Sequence, residues 1–203
     1  MEEFDLDKRL AQLESLGDPL PRLNQVVDWE AFRPLLMTIR RKPAKGPGGR
    51  PAYDVVLMFK VLVLQQLYNL ADEQTEYQIR DRYSFCRFLG LSPVSKVPDA
   101  RTIWVFREAL KQHDLVDQLF IRLNELITAA GYIIHTKGQA NRKRSKTRCR
   151  VEHVFAAQQA MGGKLVRTIG LARARVKIAM MNIVYNLRRW AWLQTTASPI
   201  ELR

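Results

Sequence analysis

The sequence predicts a mainly α-helical protein. Apolar residues recur at helical spacing through the first half, and no alternation typical of strands precedes Gly131. Charge then divides the chain. Residues 1–132 carry 18 Lys/Arg and 18 Asp/Glu, whereas residues 133–203 carry 15 Lys/Arg and only two acids. We therefore predict a helical N-terminal domain over 1–131 and a basic C-terminal domain over 132–203.

The first helical patterns lie on either side of a loop. Asp28 is predicted to cap a helix whose apolar positions run from Trp29 to Ile39. The segment from Lys42 to Pro51 is dense in Gly and Pro and is predicted to be a loop. The next segment, from Ala52 to Leu70, is apolar almost all round, which is typical of a buried central helix.

Three further helices are predicted before Gly131. The first spans Glu73 to Leu89 and stops at Gly90, a second begins at Asp99, and a third runs from its cap Asp114 to Ala130. The inward positions of the first are predicted to be Tyr77, Ile79, Tyr83, Phe85, Phe88 and Leu89. Those of the second are Ile103, Val105, Phe106 and Leu110, and those of the third are Leu115, Leu119, Leu123, Leu126 and Ile127.

The C-terminal part has a different pattern. Tyr132 to Ile134 is predicted as a short strand, and Val151 to Met161 as a helix that ends at two glycines. Lys164 to Ile169 fits either a strand or a loop. The last helix, Leu171 to Leu193, is apolar on two faces and requires partners on both sides.

A basic run is the first candidate functional feature. It places seven cations in fourteen positions, at Lys137, Arg142, Lys143, Arg144, Lys146, Arg148 and Arg150. Affinity for nucleic acid grows with the number of neutralised phosphates, so this density favours DNA contact over a merely solvated loop. A second basic set surrounds the sequence GPGGRP and consists of Arg40, Arg41, Lys42, Lys45 and Arg50. This loop either lies on a DNA backbone or is a plain interhelical turn.

Glu152 has two interpretations from its neighbours alone. It lies four residues after Arg148 at the start of a helical pattern, where an i,i+4 ion pair is the commoner explanation. The alternative is a carboxylate that binds a metal. A zinc site at His135, Cys149 and His153 is disfavoured because a fourth ligand is missing.

Other functional classes lack support. Hydrolase motifs such as GxSxG and HExxH do not occur, and Cys86 and Cys149 form no CxxC pair, so free thiols in a reducing cytosol are expected. The acidic N-terminus is unlike a secretory signal. A membrane span is also not expected, because it needs about 18 uninterrupted apolar residues and no stretch comes close to that length. We expect a cytoplasmic, nucleoid-associated protein with no membrane partner.

Several segments carry a resemblance to a known family. They are DWEAFRPLL, GGRPAYDVVLMFKVLVLQQLYNLADEQTEYQIRDRYSFCRFLGL and VPDARTIWVFREAL, then RCRVEHVFAAQQAMGGKLVRTIGLARAR and NIVYNLRRW. They resemble bacterial insertion-sequence transposases of the DDE type, specifically the insertion sequence 5 family. The resemblance implies a helical, DNA-binding domain over 1–131 and the end of a ribonuclease-H-like α/β catalytic domain over 132–203. It places Glu152 at the family's catalytic Glu and Arg148 at the supporting Arg.

The chain departs from that family at its catalytic centre. The family has two catalytic Asp residues on a sheet before the Glu, but here the last Asp is Asp117, and Glu125 is the only acid between it and Glu152. We therefore expect a truncated catalytic domain in which Glu152 is vestigial. Intact members use Mg²⁺, and one carboxylate cannot hold two such ions, so no cofactor is expected for this chain.

The expected function is DNA binding at the terminal inverted repeats of an insertion element, without catalysis. The alternatives are a functional transposase or a subunit that acts with an intact partner chain in transposition, and a decayed product whose last helix lacks the sheet it evolved to cover. DNA is the expected partner, together with a homo-oligomer or a hetero-oligomer with intact transposase. An uncovered last helix would promote self-association.

Overall fold

The computed structural model describes residues 17–40, 52–92, 94–132, 159–163 and 170–196, together with Lys8 and Gln12. These residues form helices and no strand, which confirms the mainly α-helical prediction. The α-helices are α1 (Pro19–Val26), α2 (Arg33–Leu36), α3 (Val55–Leu67), α4 (Asp72–Asp81), α5 (Tyr83–Leu89), α6 (Ala100–Gln112), α7 (Leu115–Ala129) and α8 (Leu171–Thr196). Short 3-10 helices at Trp29–Phe32 and Met37–Arg40 flank α2, and Gln159–Gly163 forms a π-helical turn.

Helix α3 is the centre of the fold, as its all-round apolar sequence predicted. It contacts α2, α4, α5, α6 and α8, and its side chains from Phe59 to Leu64, apart from Lys60, are buried. Asp54 begins the helix by accepting hydrogen bonds from the backbone N–H of Val56 and Leu57 at 2.9 and 3.1 Å. The cap fixes where this core helix starts, and the other helices pack around it.

The single helix predicted from Glu73 to Leu89 is two helices, α4 and α5. Arg82 has extended backbone angles (φ −99°, ψ 114°) and separates them. Ile79 and Phe85 are six residues apart and would point in different directions on one helix, but the break turns both into the core. The predicted burial of Tyr77 and Tyr83 was wrong, because both remain exposed on the outside of this bend.

Helices α6 and α7 follow the predicted pattern with two differences. Ile103, Phe106 and Leu110 are buried, but Val105 is 50% exposed because it lies on the opposite face of α6. Asp114 is the N-cap residue of α7, as predicted, but it lies in the left-handed region (φ 49°) and its side chain makes no capping hydrogen bond.

Helix α8 covers the N-terminal helices. It packs against α1, α3, α6 and α7, and buries Ile183, Val184 and Leu187 completely or almost so. The last helix therefore has partners without a sheet, although Ile178, on one of its apolar faces, is 44% exposed. The turn before it is also held, since Gln66 Nε2 donates to the buried carbonyl oxygen of Met161 at 2.8 Å.

Some predicted elements lie outside the described residues. These are the Gly- and Pro-rich loop and the segment Lys164–Ile169. The predicted strand is described only at Tyr132, and the predicted helix from Val151 only at Gln159–Met161. The ribonuclease-H-like remnant and the division of the chain at residue 131 remain predictions. Within the described residues no single helix is long and apolar enough to cross a membrane. Helices α3 and α4 together have the length and apolar composition of a membrane span. The pair is bent by 103°, however, and α3 lies buried in the core.

Candidate nucleic-acid interface

Most of the site residues predicted from sequence lie outside the described part of the chain. Arg40 is the last residue of a 3-10 helix, and its side chain is not described. The remaining predicted residues fall in undescribed segments, and the structure does not test them: Arg41, Lys42, Lys45, Arg50, Lys137, Arg142, Lys143, Arg144, Lys146, Arg148, Arg150 and Glu152. The three residues of the disfavoured zinc site lie there too.

A different set of exposed cations lies on α4, α5, the segment after α5 and the start of α6. These cations are Arg80, Arg82, Arg87, Lys96 and Arg101. Among the described residues between Tyr77 and Trp104, Asp81 is the exposed acid, and Asp99 is half-buried. We call this set, with the exposed aromatic residues Tyr77, Tyr83 and Trp104, the basic–aromatic face.

The carboxylate of Glu76 joins the two sides of this face. One oxygen pairs with Arg80 Nη2 at 3.0 Å, one turn further along α4. The other accepts the backbone N–H of Ala100 at 2.9 Å, at the first residue of α6. Both oxygens are therefore engaged, and Arg80 is fixed next to the start of α6.

The start of α6 is set by a second carboxylate. Asp99 accepts the backbone N–H of Thr102 at 2.7 Å, as an N-capping residue does. From this cap the helix directs Ile103 into the core and leaves Arg101, Trp104 and Val105 on the outside. Trp104 is 44% exposed.

Some cations of the basic–aromatic face form no ion pair within the described part of the chain. Neither Lys96 nor Arg101 forms an ion pair with any residue in the described segments. Arg82 lies over the ring of Phe85, 5.3 Å from its centroid, so its charge also stays at the surface. Exposed and unneutralised cations of this kind attract phosphate groups.

Other charged residues of α6 have structural partners instead. Arg107 donates to both oxygens of Asp72 at 2.8 and 2.7 Å, and Gln65 donates to the same carboxylate at 2.6 Å. Burial raises the pKa of Asp72, but these hydrogen bonds, with Arg107 first, outweigh it and hold the pKa below its ordinary value. This cluster ties α3, α4 and α6 together.

A similar cluster ties α6 to α8. Glu108 is only 8% exposed and accepts hydrogen bonds from Arg173 and Lys111. These bonds, with that of Arg173 first, lower the pKa of Glu108 to about 2. No group of three or more His, Cys, Asp or Glu residues in the described segments is arranged to hold a metal ion.

A family model settles what this helical unit is. The model of the transposase domain (DUF772) matches residues 8–109, just over half of the chain. The chain belongs to this transposase-domain family. No solved structure matches the chain.

The transposase-domain match includes the whole basic–aromatic face. It spans the described helices α1 to α5 and most of α6, and it ends before the basic run and Glu152. The match supports the predicted relationship to transposases and indicates a role in transposition.

Sequence patterns alone did not indicate the cations of this face. Arg80, Lys96 and Arg101 are separated by many residues and form no run, whereas the basic run after Ile134 is obvious. One signal was present in the sequence. Arg101 and Trp104 are three residues apart on a predicted helix, and Trp104 falls outside the apolar set predicted for it.

Proposed function

We propose that the protein binds duplex DNA at the terminal inverted repeats of an insertion element and does not itself cut or join DNA. The observation that carries the proposal is that the transposase-domain match contains the basic–aromatic face. Its exposed cations suit a phosphate backbone, and its exposed aromatic residues suit contacts that a purely electrostatic surface would not need.

Affinity comes from two sources in this proposal. The basic–aromatic face makes contacts from helices of fixed position, because Glu76 joins Arg80 of α4 to the first residue of α6. The basic run from Lys137 to Arg150, with Arg40 and the cations of the Gly- and Pro-rich loop, adds sequence-independent attraction. The net charge of +13 supports a polyanionic partner and a cytoplasmic, nucleoid-associated location.

The lack of catalysis follows from the carboxylates present. The resemblance to insertion sequence 5 transposases of the DDE type implies a reaction in which three carboxylates hold two Mg²⁺ ions. Asp117 and Glu125, the last two acids before Glu152, lie on α7 and pair with Arg175 and Arg122. Because neither comes from a sheet strand, an internal deletion of the catalytic domain is the explanation we propose, with Glu152 vestigial and no Mg²⁺ bound.

DNA binding is tested by fluorescence anisotropy on a labelled 30-bp duplex from one end of the element. A scrambled duplex of the same composition is the comparison. We expect log Kd to rise with log salt concentration, with a slope of several units because several phosphates are neutralised. Weak binding that is indifferent to salt between 50 and 200 mM would refute the proposal.

The lack of catalysis needs a separate assay. The protein is incubated with element ends and a supercoiled target, in Mg²⁺ and then in Mn²⁺, and nicking and strand transfer are followed on gels. We expect neither product. Activity that disappears in Glu152→Ala would show that the chain is still an enzyme.

A second candidate function is a subunit that acts with an intact transposase chain in transposition. The observation in its favour is the exposure of large apolar side chains on α8, where Leu171, Ile178 and Trp192 are 80%, 44% and 61% exposed. Co-purification with a tagged full-length transposase tests it. A stable complex that loses affinity in Ile178→Ser would support this function, and separate elution would count against it.

A further inference from the structure

We infer that the exposed face of α6 enters the major groove of duplex DNA, where Arg101, Trp104 and Val105 contact base edges. This assignment rests on the proposed DNA binding and adds to it the residues that distinguish one DNA sequence from another. Arg80 and Lys96 lie beside this face and contact phosphates.

The side chains of α6 are divided in a way that suits a groove-binding helix. Ile103 and Leu110 are completely buried, so the core holds one side of the helix firmly. Trp104 and Val105 are 44% and 50% exposed on the other side. Large apolar side chains left in water on an anchored helix are typical of a binding surface when they occur together.

The dimensions of the helix and the groove agree. An α-helix with its side chains is about 10–12 Å across. The major groove of B-DNA is about 12 Å wide and presents a distinct pattern of donors, acceptors and methyl groups for each base pair. We place the DNA contact on the first half of α6, because Arg173 of α8 contacts Glu108 in the second half.

Each side chain has a partner of matching chemistry in the groove. Arg101 has no ion pair with a described residue, so its guanidinium is free to donate two hydrogen bonds to guanine O6 and N7. Val105 and Trp104 offer apolar contact to the methyl group of thymine. Arg80 is fixed by Glu76 at the edge of the face, where a phosphate-binding residue would position the helix.

Charge distribution favours DNA over a second protein as the occupant. Arg101 is exposed one turn before Trp104 and Val105 on α6, and Asp81 is the exposed acid among the described residues from Tyr77 to Trp104. The exposed side of α7 is acidic by contrast, with Asp114, Asp117 and Glu125, and would be repelled by phosphates. Of these two sides, the α4–α6 side therefore complements a DNA duplex.

The test is selection from a pool of duplexes that contain 20 random base pairs, with the full chain and four variants. Wild type is expected to enrich a short motif. Arg101→Lys keeps the charge but lacks the planar fork, and Trp104→Ala and Val105→Ala remove apolar contacts. We expect Arg101→Lys to reduce the preference for the selected duplex over a scrambled one by about 5- to 150-fold, the range for one bidentate base contact. Trp104→Ala and Val105→Ala should reduce the same preference by a smaller factor.

Arg80→Ala is the matched control. It should weaken binding to selected and scrambled duplexes equally and lower the salt slope by about one unit, as a phosphate contact does. Thymine in the motif is then replaced by deoxyuridine, which removes only the methyl group. Wild type should lose affinity at one position, and Val105→Ala or Trp104→Ala should be indifferent to that change.

Several outcomes would overturn the inference and are distinct from failure of the proposed function. Variants at Arg101 and Trp104 that enrich the wild-type motif would exclude base contact by α6. Salt-dependent binding by wild type without any enriched motif would leave the proposed DNA binding intact and remove the base-reading role. A change of oligomeric state in Trp104→Ala, seen by sedimentation, would identify the face as a protein contact. No binding to any duplex would refute both.

Discussion

The guanidinium of Arg173 holds the carboxylate of Glu108 through two hydrogen bonds, of 2.7 and 3.2 Å. The residues are 65 positions apart, so the contact joins α8 to α6. Lys111 donates to the same carboxylate from the next turn of α6. The helix proposed to contact DNA is therefore fixed at its far end by the C-terminal helix.

Replacing Glu108 by Gln should destabilise the protein. The variant keeps the shape but removes the charge that Arg173 and Lys111 share, leaving two cations close together. We expect the free energy of unfolding to fall by about 1 kcal/mol, because a hydrogen bond to a charged group stabilises a protein more than one to a neutral group. In a chain of this size that lowers Tm by about 2–4 °C, measured by calorimetry. Glu125→Gln, in an exposed pair with Arg122, is the control, and an equal loss there would contradict the prediction.

The same residue should make stability depend on acid pH. Hydrogen bonds from Arg173, and then from Lys111, lower the pKa of Glu108 from its ordinary 4.5 to about 2 in the folded protein. A lowered folded pKa means that the contribution is complete above about pH 4.5 and is lost as the pH falls toward 2. The Tm difference between wild type and Glu108→Gln should therefore shrink over that range. A difference that stays constant from pH 6 to pH 2.5 would show that the ionised pair does not stabilise the fold.

Sequence patterns predicted where the helices of this protein lie better than which helices pack against one another. Apolar periodicity located α3 and α8 because each is defined by its own residues. It could not place the break at Arg82, since that depends on Ile79 and Phe85 both reaching α3. Periodicity also predicted that α8 needs partners, but not that they would be α1, α3 and α7.

The candidate site was harder to predict for a similar reason. A run of cations can be found by counting, whereas the basic–aromatic face exists only after α4 and α6 have packed together. Glu108 illustrates the point, because it is buried on α6 and pairs with Arg173 of a distant helix. Long-range contacts of this kind leave no local sequence pattern.

Lys60 gives a prediction at alkaline pH. It projects from the core helix α3, with Nζ 4.6 Å from the ring centroid of Phe88 and 5.5 Å from that of Trp29. Burial lowers its pKa from 10.5 to about 8 in the folded protein. Between these values the unfolded chain binds the extra proton, so wild type gains stability as the pH rises from 8 to 10.5.

Lys60→Met tests this directly because it keeps the length and apolar stem of the side chain. Relative to wild type, the variant should be most stable near pH 7, where wild type buries a charge, and the advantage should diminish by pH 10.5. Unfolding in urea at several pH values gives the comparison. The exposed Lys96→Met controls for the general effect of removing one charge. An advantage that does not change between pH 7 and pH 10.5 would rule out a desolvated Lys60.

The last prediction concerns the division of the chain at residue 131. If residues 1–131 are an independent domain, a chain that ends at Tyr132 should melt cooperatively at the wild-type Tm. The packing favours another outcome, because Ile183 and Leu187 of α8 are completely buried against the N-terminal helices. Removing them would expose apolar surface on α1, α3 and α7. We therefore expect the shortened chain to bind a hydrophobic dye and to lose its cooperative transition.

A peptide of residues 170–196, added in trans, makes this prediction specific. It should restore a cooperative transition, because the peptide carries the α8 side chains that pack against α1, α3 and α7. The matched control is the same peptide with Leu187→Asp, which places a charge in a completely buried position and should not restore it. Recovery with both peptides would point to a nonspecific effect. A shortened chain that is as stable as wild type without either peptide would confirm the independent N-terminal domain and limit α8 to a passive cover.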